Sequence, residues 1–251
     1  MIYFRKYTYH NECWWCKSDD LSREHKYKKS ELVREYGGCR YKKNVIIAGN
    51  GKKDMWFKGP NCLEAKFKPN LCKKCNNSDS RDIDIAYDVF QKYLKSNIAE
   101  LTNNRCLDLN NIFAADVNKN KMNLIRYLIK HVCCRLAEAN IYIEDEVVSF
   151  LNGGYLLPYI TFRFEIAIDA YRMHQKISSL NEKSHFSLGG MQCISNKTSN
   201  RARNINSYFQ YRWFRISYLC DMSIKPLDIM NLNDKIPLIL NFNANSYFSL
   251  M

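Results

Sequence analysis

Two short cysteine motifs, Cys13-Trp14-Trp15-Cys16 and Cys72-Lys73-Lys74-Cys75, stand in the first third of the chain. Each Cys-x-x-Cys pair lets two thiolates from one tight turn reach a single ion, and two such pairs supply the four sulfurs of a tetrahedral zinc site. The alternative is a set of four buried or redox-active thiols, but neither motif has the strand–helix surroundings of a thioredoxin-like site. We therefore predict that Cys13, Cys16, Cys72 and Cys75 bind structural Zn²⁺.

The segment between the motifs contains two further cysteines, Cys39 and Cys62, which lack a partner at the same spacing. We predict that they are core residues; the alternatives are a second metal site or substitution for a ligand in the first. The second motif leads directly into a helical pattern. A first knuckle followed by paired strands and a second knuckle entering a helix is the layout of a treble clef, a small scaffold that needs its metal to fold.

Hydrophobic periodicity divides the rest of the chain into helices and strands. Apolar residues at steps of three and four predict helices over 83–94, 122–139 and 144–151, the first beginning near Asp82. Strand-like patterns cover 161–169, 208–220 and 237–240. The polar stretch 195–206 is predicted as a loop, and the polar stretch 101–120 as the domain boundary. The sequence thus predicts an α+β protein with a zinc domain at 1–100 and an α+β domain at 101–251, in which helices precede antiparallel strands.

The composition is that of a globular protein with excess positive charge. The 251 residues carry a formal net charge of +13, for which nucleic acid is the commonest reason and an anionic membrane the next. No 18-residue apolar run exists and the first residues lack an apolar segment, so we expect no membrane span, no signal peptide and a cytoplasmic location. Eleven cysteines in a reducing compartment indicate metal ligands or core thiols rather than disulfides.

Basic and aromatic residues alternate in the segment after the first motif. The tyrosines are Tyr27, Tyr36 and Tyr41, and the basic residues are Lys26, Lys28, Lys29, Arg34, Arg40, Lys42 and Lys43. Such a mixture suits phosphates and base faces, whereas the alternative is an ordinary solvated face. We predict contact with nucleic acid.

A third feature is the placement of an acidic-His pair and an Asn around the two motifs. Ser22-Arg23-Glu24-His25 begins six residues after Cys16, and Asn76-Asn77 directly follows Cys75. In this order the motifs resemble the HNH endonucleases, specifically their zinc-containing ββα-metal type, over about residues 10–97.

The resemblance implies a role for each matching residue. His25 matches the general base that activates water. Glu24, where the family usually has Asp, and Asn76 match the ligands of a catalytic Mg²⁺ or Mn²⁺ ion. Asn77 would add a second amide and Arg81 a phosphate clamp. The family's middle Asn would fall at Phe67, and the nearest asparagine is Asn70.

These implications lead to a functional hypothesis with two rivals. The first hypothesis is a metal-dependent endonuclease acting on double-stranded DNA, in a bacterial restriction or anti-phage defence setting that the family alone suggests. Its C-terminal domain would recognise the target, a partner protein or a second copy in a homodimer. The rivals are a zinc-dependent nucleic-acid-binding protein without catalysis and a zinc-stabilised module whose basic face meets an acidic protein.

Overall fold

The computed structural model describes residues 4–38, 47–49, 54–157, 159–179, 186–195, 202–224, 227–228 and 233–241. The α-helices are α1 (Lys29–Tyr36), α2 (Arg81–Ser96), α3 (Ile98–Asn104), α4 (Leu109–Ile112), α5 (Val117–Glu138), α6 (Asp145–Leu151) and α7 (Ile168–Ser179). The strands are β1 (Leu21–Ser22), β2 (Ile47–Gly49), β3 (Asp54–Trp56), β4 (Leu71–Cys72), β5 (Cys106–Asp108), β6 (Leu156–Leu157), β7 (Ile160–Ala167), β8 (Phe186–Leu188), β9 (Gln192–Ser195), β10 (Ala202–Tyr211), β11 (Phe214–Asp221), β12 (Leu227–Asp228), β13 (Lys235–Pro237) and β14 (Ile239–Asn241). This mixture of helix and strand confirms the predicted α+β class.

A short antiparallel hairpin carries both cysteine motifs. Strands β1 and β4 pair with Leu21 opposite Cys72, and a bridge between His25 and Lys66 continues the pairing. The chain between the two arms therefore extends from the hairpin's tip. This insertion has a small core of its own, formed by Leu32, Tyr36, Phe57 and Ala65, with Cys62 packed against it. Cys62 thus contributes to packing as predicted, whereas Cys39 lies outside the described residues.

The two strongest helical patterns are confirmed as α2 and α5. Helix α2 follows a π-helical turn at Lys74–Ser78, which contains the end of the second cysteine motif. Its buried face includes Phe90 and Leu94. Helix α5 starts five residues earlier than predicted and is buried on nearly every side, because α2, α6 and strand β10 of the main sheet contact it. The short predicted helix at 144–151 is α6.

The main sheet follows in the second half of the chain. Its strand order is β14-β7-β11-β10-β8, with β9 also paired to β10, and every pairing except that of β14 with β7 is antiparallel. The predicted single strand over 208–220 is wrong: β10 and β11 form a hairpin that turns at Arg212 and Trp213, where Arg212 has a φ of 56°. The predicted strand over 161–169 ends at Ala167, where α7 begins.

Two segments predicted as irregular contain regular structure. The polar stretch 101–120 includes β5 and α4, and β5 pairs with β13 near the end of the described chain. The predicted loop 195–206 overlaps the end of β9 and the start of β10, while residues 196–201 lie outside the described residues. The predicted strand over 237–240 corresponds to β13 and β14, separated by the buried Leu238.

The large core is continuous across the sequence. One cluster of buried side chains runs from Phe4 to Leu238 and includes Trp14 beside the first motif, Phe90 of α2 and Ile216 of β11. The division at residues 100 and 101 stays a prediction. Within the described parts of the chain, no helix combines the length and the apolar composition needed to cross a bilayer.

Candidate functional site

The four motif cysteines converge at the base of the hairpin. The sulfur atoms of Cys13, Cys16, Cys72 and Cys75 all lie within 4.8 Å of one another, and the Cys16 and Cys72 sulfurs are 3.4 Å apart. Each turn is held by the backbone: the Cys75 N–H donates to the Cys72 sulfur at 3.3 Å, and the Lys17 N–H donates to the Cys13 carbonyl at 2.9 Å.

This geometry fits a tetrahedral metal ion. Sulfurs bound at about 2.3 Å to one zinc ion lie about 3.8 Å apart, which agrees with the separations seen. A hydrogen bond between the Cys13 and Cys75 thiols lowers the pKa of Cys13 and raises the pKa of Cys75, so the two sulfurs already lie in contact. The four-cysteine group can therefore hold an ion such as zinc.

His25 lies on the first arm of the hairpin, where backbone pairing fixes it from both sides. The Phe67 N–H donates to the Glu24 carbonyl at 2.9 Å, and the Lys26 N–H donates to the Ala65 carbonyl at 2.8 Å. The His25 ring donates from Nε2 to the Pro60 carbonyl at 3.0 Å. Burial lowers the pKa of His25, so its ring is neutral at pH 7. With Nε2 carrying the proton, Nδ1 is a proton acceptor.

The Glu24 carboxylate points to a different set of partners from the His25 ring. Its Oε1 accepts the His25 backbone N–H at 3.0 Å. Its Oε2 lies 3.1 Å from the Lys130 ammonium of α5. The Glu24 side chain is only 14% exposed and Lys130 is 1% exposed, so this is a buried ion pair.

The three remaining predicted site residues lie where the hairpin meets α2. Asn76 donates from Nδ2 to the Ser22 hydroxyl at 3.1 Å, and its Oδ1 is buried with no hydrogen-bond partner in the described structure. Asn77 is exposed and donates to the Lys73 carbonyl at 2.8 Å. Arg81 is exposed at the first position of α2.

The predicted ligands of a catalytic divalent ion do not fit that ion as a set. The unpartnered Oδ1 of Asn76 would suit a hard cation. Glu24 does not, because an ammonium group already lies against its outer oxygen. In the described ranges, the four cysteines are the only group of three or more Cys, His, Asp or Glu ligands that comes together.

Asn70 lies buried between helix α5 and the first cysteine motif. It is 2% exposed, and its Nδ2 donates to the Cys134 carbonyl of α5 at 2.8 Å. Its own carbonyl accepts the Trp14 N–H at 3.0 Å. Asn70 thereby joins α5 to the first cysteine motif. Phe67, at the family's middle-Asn position, is fully buried.

The sequence missed the ion pair between Glu24 and Lys130 of α5, and the polar groups around Lys130 at the start of α2. Lys130 also contacts Asp84 at 3.1 Å and the Ser80 hydroxyl at 3.3 Å. Lys28 lies 3.3 Å from Asp88 and donates to the Asp84 carbonyl at 2.8 Å. Lys130 follows the apolar residues Leu128 and Ile129 in the sequence, but the sequence does not indicate its partners.

Part of the basic segment faces inward. Lys28 is engaged with α2 as described, and Tyr36 is buried. Arg34 is exposed and pairs with the buried Glu31 at 2.7 Å. Lys29 is exposed. Arg40, Tyr41, Lys42 and Lys43 lie outside the described residues. Contact with nucleic acid through this segment stays a prediction.

No protein-family model, curated protein or solved structure matches the chain. The likeness to HNH endonucleases therefore rests on the residues and spacings given above.

Proposed function

We propose that the chain is an HNH-type endonuclease that hydrolyses phosphodiester bonds in DNA, with His25 as the general base. The observation that carries the proposal is the state of the His25 ring: Nε2 is anchored on the Pro60 carbonyl, and burial keeps the ring neutral at pH 7. A neutral imidazole with one nitrogen fixed can accept a proton from water at the other nitrogen.

In this proposal Nδ1 takes a proton from water as the water oxygen forms its bond to phosphorus. The bond from phosphorus to the leaving deoxyribose oxygen breaks, and that oxygen takes a proton from solvent. Arg81 and Asn77, both exposed beside the second cysteine motif, would contact the phosphate. A guanidinium offers the paired donors that phosphate oxygens accept. The four-cysteine site holds the hairpin arm that carries His25, so metal in that site supports the geometry rather than the bond-breaking step.

Plasmid cleavage tests the proposal. We expect the zinc-loaded protein to convert supercoiled plasmid to nicked or linear DNA, and His25→Ala to lower the rate by at least 100-fold. The reactions compare Mg²⁺, Mn²⁺ and EDTA, because a divalent-ion requirement is part of the family's chemistry.

The matched control is His10→Ala, since His10 is exposed on the described N-terminal segment. This variant should cleave at the wild-type rate. Equal cleavage by wild type and His25→Ala would refute His25 as the base. No cleavage by folded, zinc-loaded wild type would refute the nuclease.

A second candidate function is zinc-dependent nucleic-acid binding without catalysis. Two observations favour it: Glu24 is paired with Lys130, and Phe67 occupies the middle-Asn position. In that case the folded protein retains DNA in a salt-sensitive manner, and His25→Ala leaves the affinity unchanged.

A further inference from the structure

Lys130 is an almost fully enclosed cation with a complete set of acceptors. Its Nζ lies 3.1 Å from Glu24 Oε2, 3.1 Å from Asp84 Oδ1 and 3.3 Å from Ser80 Oγ. An ammonium group has three protons to donate, and each has an oxygen here. The side chain is 1% exposed, so it belongs to the interior rather than to the surface that meets DNA.

A second lysine contacts two carboxylates on the same side of helix α2. Lys28 provides a second ammonium, 3.6 Å from Asp84 and 3.3 Å from Asp88. Two ammonium groups thus face the three carboxylates of Glu24, Asp84 and Asp88. Burial alone would lower the pKa of Lys130, but the charges of Glu24 and Asp84 outweigh it and raise that pKa, so the group stays protonated. A divalent ion on Glu24 would then meet a positive charge in a low-dielectric setting, where like charges repel strongly.

The same contacts lead from α5 to the His25 backbone. Lys130 holds Glu24 through Oε2, and Glu24 accepts the His25 N–H through Oε1. The next residue of α5, His131, has its Nε2 3.0 Å from the carbonyl oxygen of Lys26. Helix α5 therefore fixes the backbone on both sides of His25.

We propose that Lys130 is the resident cation of this site, and that Glu24 is a positioning residue for His25 instead of a ligand for a divalent ion. The ammonium takes the place beside the carboxylate that the family gives to a metal. The part of this inference that concerns His25 rests on the proposed nuclease function; the part that concerns metal binding does not.

Binding of Mn²⁺ to the zinc-loaded protein, measured by electron paramagnetic resonance, tests the metal part without any activity. The variants are Glu24→Gln, Lys130→Met and the double variant. We expect wild type and Glu24→Gln to bind Mn²⁺ equally, within twofold, or not to bind it at all. Lys130→Met should gain one Mn²⁺ on the released Glu24 and Asp84 carboxylates, and the double variant should lose it.

Two results would overturn the proposal. One is a tenfold or greater loss of Mn²⁺ affinity in Glu24→Gln, which would make Glu24 a metal ligand. The other is a folded Lys130→Met protein that gains no Mn²⁺. Circular dichroism and zinc content establish folding, and if Lys130→Met does not fold, the Glu24→Gln comparison decides alone.

Cleavage kinetics then test the positioning role. If wild type cleaves DNA with Mn²⁺, Glu24→Gln should lower kcat while the Mn²⁺ concentration for half-maximal rate stays unchanged. A rise in that concentration would contradict the proposal. Absence of cleavage in wild type would refute the proposed function and leave the Mn²⁺ binding result standing.

Discussion

His131 shows what burial does to a single ionisable residue. It is 4% exposed, between the rings of Phe67 and Phe209, and burial lowers its pKa to about 4. Its Nε2 has the Lys26 carbonyl as its partner, and its Nδ1 has none in the described structure. The folded chain therefore holds this residue neutral at pH 7 and still largely neutral at pH 5.

The depressed pKa predicts acid sensitivity. Between pH 6.5 and about 4 the unfolded chain binds a proton at His131 that the folded chain does not, so the free energy of unfolding falls as pH falls through this window. From pH 7 to pH 5 the residue's share is about 2 kcal/mol. Denaturant titrations at both values should show His131→Gln losing that much less stability than wild type, since the amide keeps a donor and gains no proton. Equal losses of unfolding free energy in wild type and His131→Gln would contradict the lowered pKa of His131.

Some contacts at the candidate site could be predicted from the sequence, and others could not. The four cysteines could be predicted to meet because each pair is local and the chemistry of the ion joins the pairs. The tie between Glu24 and Lys130 could not, because the two residues are 106 positions apart and periodicity gives no distance between a hairpin and a helix. The same holds for Asn70, whose partners are Trp14 and Cys134.

At the scale of elements, we expect the hairpin formed by β1 and β4 to depend on a metal ion at its four cysteines. The pairing covers two residues on each strand plus the bridge at His25, and so short a ladder is not stable in water by itself. The cysteines close its base and lead into α2. The element is thus held by the sulfur site and by the packing of α2 and α5 behind it.

Removing one sulfur should therefore loosen the whole element. We expect Cys75→Ser to lose bound zinc, from one ion per chain, and to lose several kcal/mol of stability, since structural zinc contributes about 10–16 kcal/mol of binding energy to small domains. Metal analysis and thermal unfolding measure both. Cys193→Ser is the control, because Cys193 is exposed on β9 and is not a member of the sulfur cluster. Unchanged zinc in Cys75→Ser would refute the four-sulfur site.

The predictions of helices and strands were right where one periodicity dominated the sequence. They failed at a turn that lacks the usual turn residues. The spacing of Phe90 and Leu94 on α2 is a clean helical repeat. The turn between β10 and β11 uses Arg212 at a positive φ, without the Asn, Gly or Asp that announces such hairpins. Because Tyr211 and Trp213 are apolar as well, the hairpin is indistinguishable in sequence from one long strand.

At the scale of the whole molecule, the buried cluster joins the two sequence-predicted domains. The ring of Phe90 on α2 lies 6.3 Å from Phe164 of β7 and 5.7 Å from Phe214 of β11. Leu128 and Val132 of α5 belong to the same cluster. We therefore expect truncation of the Phe90 side chain to weaken the packing of the main sheet as well as that of the cysteine hairpin.

Phe90→Ala tests this continuity. We expect a loss of about 3–5 kcal/mol, the usual cost of emptying a buried aromatic site. Hydrogen exchange followed by mass spectrometry should show equal losses of protection in peptides covering 81–96 and 214–221. Val89 lies on the exposed side of the same helix. We expect Val89→Ala to leave the protection of both peptides unchanged. Loss confined to the first peptide would mean that residues 1–100 and 101–251 unfold separately.

The enclosure of α5 also governs how this chain can diverge over generations. Tyr127 stacks on Tyr87 of α2, Arg126 reaches the Phe150 carbonyl of α6, and His131 packs on Phe209 of β10. A substitution on any side of α5 changes the packing against a neighbouring element. A second substitution in that element is then needed to restore the contact. Among related proteins, substitutions in α5 should therefore be few and should arrive in pairs with positions in α2, α6 or β10, while the exposed side of α2 accumulates changes singly.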